Sequence, residues 1–126
     1  MKFLMSHESD FVLITIDEPV LREAHLRDIS EKVAHFTSQG RSNFIVDMTE
    51  LKLMDGRAVS TFVSCRLKAK SGSGDFVLAN VSEYVMNLVG ITNLVKVFTI
   101  TKTVEEAQAL FQSQLQRVKL KAREDL

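Results

Sequence analysis

A six-residue run, Phe11-Val12-Leu13-Ile14-Thr15-Ile16, constrains this chain more than any other feature in it. The run is almost continuously apolar, as a β-strand is when both of its faces are covered. Phe44 to Met48 is a second run of the same kind, and residues 75–79 and Val95 to Ile100 read as further strands. Phe3 to Met5 reads as a short edge strand.

Between these runs the apolar spacing changes to steps of three and four, which marks one face of a helix. Leu26, Ile29, Val33 and Phe36 share such a face in a helix expected over 21–38, ended by Gln39 and capped by Gly40. Glu23, Arg27, Glu31 and Lys32 lie off that face. A second helix is expected over 56–70, with Val59, Phe62, Val63 and Leu67 inward and Arg66 snorkelling at the margin. Ser82 caps a short third helix in which Val85, Leu88 and Val89 face inward and which Gly90 closes. Thr103 and Glu106 form a capping box for a fourth, striped by Val104, Ala107, Phe111, Leu115 and Val118 and reaching about residue 122. Strands alternating with helices define the α/β class: a central parallel or mixed sheet of four or five strands covered by about four helices.

The bulk properties narrow the function. With 126 residues the chain is of single-domain size. Sixteen basic residues balance sixteen acidic ones, which argues against a general nucleic-acid binder. Cys65 is the only cysteine, so no intrachain disulfide forms. The first ten residues are too short in apolar content for a signal peptide, and no apolar run approaches the roughly 20 residues of a membrane span. The expectation is a cytoplasmic protein without membrane insertion.

Asp47 to Val59, DMTELKLMDGRAV, is the expected working stretch. A strand ends at Asp47, a loop with alternating Leu51 and Leu53 follows, and Met54-Asp55-Gly56 opens a helix whose first N–H groups face outward. Asp55 is expected to cap that helix and Asp47 to organise the loop beneath it. No Ser-His-Asp, Cys-His, P-loop or zinc spacing occurs, and the Ser71–Gly74 turn lacks the Lys-Ser/Thr of a nucleotide loop. No catalytic residue and no cofactor is therefore expected. Asp47 and Asp55 lack a third ligand for a metal, and His7, His25 and His35 have no ligand spacing. Cys65 reads as a small helix residue, and Met48, Met54 and Met86 as core or core margin.

Three blocks together resemble a STAS domain, the family of anti-sigma-factor antagonists and sulphate-transporter tails. They are IVDMTELKLMDGRAV, SGSGDFVLANVSEYVMNLV and VGITNLVKVFTITKTVEEA. The first matches the family's strand–loop–helix signature, in which a strand-end Asp precedes by eight residues the Asp of Asp-Ser-Ser-Gly-Leu. Asp47 and Asp55 have that spacing. The resemblance implies a STAS-like domain over residues 1–110, with 111–126 a helical extension of it. It implies a bacterial module of signalling and transcription regulation that binds a protein partner, either an anti-sigma factor kinase or an ABC-transporter ATPase subunit. Scaffolding members of stress-signalling assemblies are a further likeness.

The departures from the pattern bear on regulation. In regulatory members the second serine of Asp-Ser-Ser-Gly is phosphorylated. Aligned on Asp55, that position is Arg57, the first serine is Gly56 and the glycine is Ala58. Arginine accepts no phosphate, so no phosphorylation is expected there, with Ser60 and Thr61 as displaced alternatives one turn on. The acidic residue before the family's first helix corresponds to Arg22. The partner-binding set implied is Arg22, Met54, Asp55, Gly56, Arg57, Ser60 and Thr61. Arg57 in a first helical turn opposes the macrodipole by about 0.3–1 kcal/mol, and it either meets an acidic partner or has drifted there. A receiver-like phosphoacceptor domain using Asp17, Glu18 and Asp47 is a weaker competing class, because residues 36–43 leave no room for its extra strand and helix. A homodimer through 111–126 is expected from the long apolar stripe.

Overall fold

A computed structural model describes residues 2–5, 11–91 and 97–113. The chain runs β1 (Lys2–Met5), β2 (Val12–Thr15), α1 (Glu23–Ser38), β3 (Asn43–Asp47), α2 (Gly56–Ser71), β4 (Asp75–Ala79), α3 (Glu83–Ile91) and β5 (Thr99–Thr101). Helix α4 follows from residue 104 to the end of the described chain at 113. The side chains of Leu88 and Val89, residues 95–96, and the expected continuation through Leu115 and Val118 lie outside the described residues. So does most of the segment expected to form a homodimer.

The five strands stand side by side in chain order. β1 pairs antiparallel with β2, and the other three pairings are parallel. Each parallel step is a strand–helix–strand crossover. Side chains alternate across the sheet, and the two faces are covered differently. Val12, Ile14, Phe44, Val46, Phe76 and Leu78 point to one face and share a core with Leu26, Ile29 and Val33 of α1, Ala58, Val59, Phe62, Cys65 and Ala69 of α2, and Val85 of α3. Phe11, Ile45, Val77 and Ala79 point to the other and meet Ala107 and Phe111 of α4. Phe11 and Phe111 stack with ring centroids 6.5 Å apart. Cover on both faces is why the strands read as apolar runs rather than as alternating ones.

The helix ends are built as their residues dictate. Gly40 adopts φ +83° after α1, and the N–H groups of Gly40 and Arg41 return to the carbonyls of Thr37 and Phe36. This is a Schellman motif. The same motif ends α2, with Ser73 at φ 67° and Gly74 N–H bonded to the Ala69 carbonyl. Gly74 has a steric reason as well, since a Cβ there would lie 1.9 Å from the Ser42 carbonyl oxygen. Ser82 Oγ caps α3 by accepting from Val85 N–H at 3.2 Å. Thr103 Oγ1 accepts from Glu106 N–H as expected, but the Glu106 carboxylate reaches back to Lys102 N–H, one residue before the cap.

Three expectations are corrected. Leu67 does not face inward; it is 67% exposed, and Cys65 and Ala69 occupy the buried face of α2. The last strand starts at Thr99, because Val97 and Phe98 form a turn and bend before it. Arg66 does not snorkel to solvent. Its Nε donates to Asp75 Oδ1 at 3.1 Å, Nη2 donates to Thr99 Oγ1 at 3.3 Å, and Nη1 donates to the Val97 carbonyl. Asp75 is the one buried charged residue among those described. Its carboxylate also accepts from Phe76 N–H and the Thr99 hydroxyl and lies 3.5 Å from Lys70 Nζ.

Burial pushes the Cys65 thiol up to about 11, with a hydrogen bond to Ser30 offsetting only part of the effect. At neutral pH almost no thiolate forms, and the side chain is packed in the core. The folded protein is therefore expected to resist a thiol reagent that the unfolded chain consumes stoichiometrically. Rapid labelling under native conditions would contradict this placement of Cys65.

Candidate protein-interaction site

The carboxyl ends of β2 and β3 release the loops that build the site. Asp47, the last residue of β3, turns its Oδ1 to Thr49 N–H at 3.1 Å, the Thr49 hydroxyl at 2.6 Å and Asn80 Nδ2 at 3.0 Å. Burial raises the Asp47 pKa, but the Thr49 hydroxyl, the Asn80 amide and the Thr49 N–H outweigh it and hold the carboxyl below the ordinary range. Asp47 thus ties the start of the loop to the end of β4, the organising role expected of it. Leu51 then drops into the core, fully buried, and Leu53 projects outward. The Pro19 carbonyl accepts from both Lys52 and Leu53 N–H groups, at 2.9 and 3.1 Å, and Val20 bridges to Leu53. Two loops far apart in sequence are joined here by backbone hydrogen bonds.

Asp55 caps α2, accepting from Ala58 N–H at 3.0 Å through Oδ1. Its other oxygen, Oδ2, lies 3.3 Å from Arg57 Nη2. The Ala58 N–H is the main cause of a lowered Asp55 pKa, and Arg57 adds to it. Arg57 therefore brings a cation to the positive end of the helix but folds it back onto the cap, which offsets the dipole cost at its source. Removing the cap by Asp55→Ala is expected to lower the midpoint of denaturant unfolding, because the Ala58 N–H loses its acceptor. An unchanged unfolding midpoint would show that the cap contributes nothing.

A groove of about 280 Å³ opens beside this cap, lined by Val20, Leu21, Leu53, Met54, Asp55 and Tyr84. Val20 is 42% exposed, Leu53 48% and Tyr84 62%. Among the described residues the other exposed large apolar side chains, Leu67 and Leu110, stand singly on α2 and α4. The groove's exposed apolar side chains thus come from three chain segments that the fold brings together.

The residues expected at the site divide. Asp55, Gly56, Arg57 and Ser60 are exposed on the first turns of α2, and Thr61 is half-buried. Arg22 is exposed at the start of α1, next to Leu21 of the groove. Its N–H donates to His25 Nδ1 at 3.0 Å, so His25 helps to begin α1. Met54 is only 5% exposed and belongs to the core, which leaves it a floor of the groove rather than a projecting contact. Val20, Leu53 and Tyr84 were not in the expected set. Leu53 had a signal, since its alternation with the buried Leu51 puts it on the opposite side of the loop. Val20 and Tyr84 had none, because only the fold brings them to Leu53.

Among the described residues no three His, Cys, Asp or Glu side chains converge as a metal would require. Asp17, Glu18 and Asp47 therefore do not form the acidic cluster of a receiver. The strand order argues the same way: a receiver sheet is doubly wound and changes direction after its first strand, whereas this one runs in sequence. Among the described residues no helix is long and apolar enough to cross a membrane.

The family model of the STAS domain matches residues 2–107, and the chain belongs to that family. Solved structures share its fold. An anti-sigma-factor antagonist (STAS) domain protein from Planctomyces limnophilus is 20% identical, with a TM-score of 0.71 over 87% of this chain and 97% of that one. The Bacillus cell fate determinant SpoIIAA, in its phosphorylated form, is 20% identical, with a TM-score of 0.64 over 84% and 96%. A chain of the stressosome, a signal integration and transduction hub, is 14% identical, with a TM-score of 0.71 over 90% and 98%.

Proposed function

We propose that this STAS domain is a non-enzymatic interaction module that regulates a protein partner by binding it through the surface around residues 47–61, extended by Val20 and Tyr84. The observation that supports this most is the apolar groove beside the α2 cap. Its exposed residues come from three segments that the fold brings together, and they carry no catalytic arrangement. The cellular setting proposed is the bacterial cytoplasm, and the partner proposed is an anti-sigma factor of the kinase type.

The second part of the proposal is that the usual serine switch is missing. SpoIIAA was solved in a phosphorylated form. At the position that the signature alignment gives to the phosphoacceptor, this chain has Arg57, held 3.3 Å from the capping Asp55. That pairing favours a surface fixed in one charge state. A fixed surface also suits a scaffold subunit or a partner of an ABC-transporter ATPase, and Arg57 is the residue that keeps this second reading in view.

Two measurements test the proposal. Incubation with ATP and a cognate anti-sigma kinase is expected to leave residues 55–60 unmodified, and a phosphopeptide covering them would overturn the missing switch. Affinity capture from the native cells, wild type beside Arg57→Glu, identifies the partner. An ATP-binding anti-sigma factor supports the first reading, and a transporter ATPase or signalling scaffold moves the function to complex assembly.

A further inference from the structure

On the reading of the groove given above, we infer that Asn80 is a positioning residue for the proposed partner surface: its side-chain amide, bonded to Asp47, sets the direction in which the chain leaves β4 and so where Tyr84 stands relative to Leu53. The groove has two walls of different construction. One is made by two loops that the Pro19 carbonyl stitches together, and it carries Val20, Leu53 and Asp55. The other is Tyr84, on the helix that follows β4.

The strand ladder carries the two chains only as far as Asp47 beside Ala79, with one more bond from Met48 N–H to the Ala79 carbonyl at 3.0 Å. Beyond it they part, one toward Leu53 and the other toward Tyr84. Among the described residues, Asn80 has the one side chain of 80–84 that hydrogen-bonds the 47–55 segment: its Nδ2 donates to Asp47 Oδ1 at 3.0 Å. The same oxygen accepts from the Thr49 N–H and the Thr49 hydroxyl. A single carboxylate oxygen therefore holds the start of both walls. Asn80 N–H in turn donates to the Lys102 carbonyl at 3.2 Å, which pins the residue among the ends of β3, β4 and β5.

The backbone of Asn80 shows what its side chain is for. Its φ is +56°, in the left-handed region. Glycine enters that region freely, and a residue with a Cβ does so at a cost that asparagine bears better than most. Glycine would thus serve the turn alone. Asparagine adds the amide, and the amide is spent on Asp47. The connection from this turn to the helix is short: Ser82 Oγ already caps α3 by accepting from Val85 N–H, and Tyr84 lies in that first turn. With so few residues between them, the start of α3 follows the direction set at Asn80.

Spin labels read the spacing of the walls directly. Ser60 on α2 and Asn87 on α3 are both exposed, so Ser60→Cys and Asn87→Cys take the labels, while the buried Cys65 stays unlabelled in the native protein. The interlabel distance distribution is measured by electron paramagnetic resonance in this labelled protein and in the same protein carrying Asn80→Gly, Asn80→Asp or Ser73→Gly. Far-UV circular dichroism confirms folding. Asn80→Gly keeps the left-handed backbone and removes only the amide, and it is expected to broaden or shift the distribution without changing the dichroism. Asn80→Asp sets a second carboxylate against Asp47 and should displace the distribution further, and it decides the matter if Asn80→Gly does not fold. Ser73, at φ 67°, is the other left-handed residue with a side chain among those described, and it lies at the far end of α2. Ser73→Gly should leave the distance unchanged.

An unchanged distribution in folded Asn80→Gly overturns the inference, and so does an equal change in Ser73→Gly. This measurement needs no partner. If capture shows that the groove is not the binding surface, the functional reading falls while the interlabel distance still reports whether Asn80 sets the spacing of the two walls.

Discussion

Asp75→Ala is expected to lower the unfolding free energy by about 3–5 kcal/mol, the usual cost of removing one member of a buried ion pair. The loss exceeds that of a surface ion pair for reasons visible at the site. The Asp75 side chain is 7% exposed and Arg66 is 25% exposed. Without the carboxylate, Arg66 Nε and Thr99 Oγ1 lose their acceptors where little water can reach them, and Lys70 loses its anion. By contrast, Arg27 and Glu23 on α1 are 65% and 74% exposed, and breaking that pair should have no measurable effect. Urea unfolding of the two variants checks both statements, and a loss below about 1 kcal/mol for Asp75→Ala would show that the network is not buried as described.

The same carboxylate sets an acid limit. Burial raises the Asp75 pKa, but the Thr99 hydroxyl, the Phe76 N–H, Arg66 and Lys70 together outweigh burial and leave it below its ordinary value of 3.8. A group whose pKa is lower in the folded state binds fewer protons there than in the unfolded chain. Its contribution is complete above the unfolded pKa and is lost as pH falls through the folded one. Wild-type stability should therefore drop below about pH 4, and Asp75→Asn should flatten that part of the profile.

Leu53→Asp is expected to reduce partner affinity by about thirtyfold or more, which corresponds to roughly 2 kcal/mol at an interface hot spot. Leu53 is already 48% exposed and its backbone is held by the Pro19 carbonyl. The folded domain therefore loses little when the side chain changes. In the complex proposed above, a carboxylate at this position would be buried against an apolar surface without a partner, which is costly. Binding should fall while the urea midpoint stays near that of the wild type.

The fold was legible in the chain because its strands are covered on both faces and its helices are striped on one. Phe11–Ile16 and Phe44–Met48 carry almost no polar interruption, and Leu26, Ile29 and Val33 mark α1 at helical spacing. The Asp55 cap was legible too, since a short acceptor just before a helix has few other uses. Arg66 was not. An arginine next to an apolar stripe looks the same whether it snorkels or turns inward, and its partners Asp75, Val97 and Thr99 become neighbours only when β4 and β5 pair. Leu67 was misplaced for a related reason: at the margin of a stripe a one-residue rotation decides burial, and the small residues Cys65 and Ala69 won the inner face. The groove was half legible. Its floor and cap follow one another in Met54 and Asp55, but Val20 and Tyr84 reach it from other elements.

Parallel affinity capture of the wild type, Leu53→Asp and Leu67→Asp from the native cells tests the central claim most directly, with recovered proteins quantified by mass spectrometry. Leu67 is more exposed than Leu53 but stands alone on α2, away from the groove. The account predicts that one protein recovered with the wild type is lost with Leu53→Asp and kept with Leu67→Asp. Retention by folded Leu53→Asp, or equal loss from both variants, would contradict the claim that the partner binds at the groove beside the α2 cap.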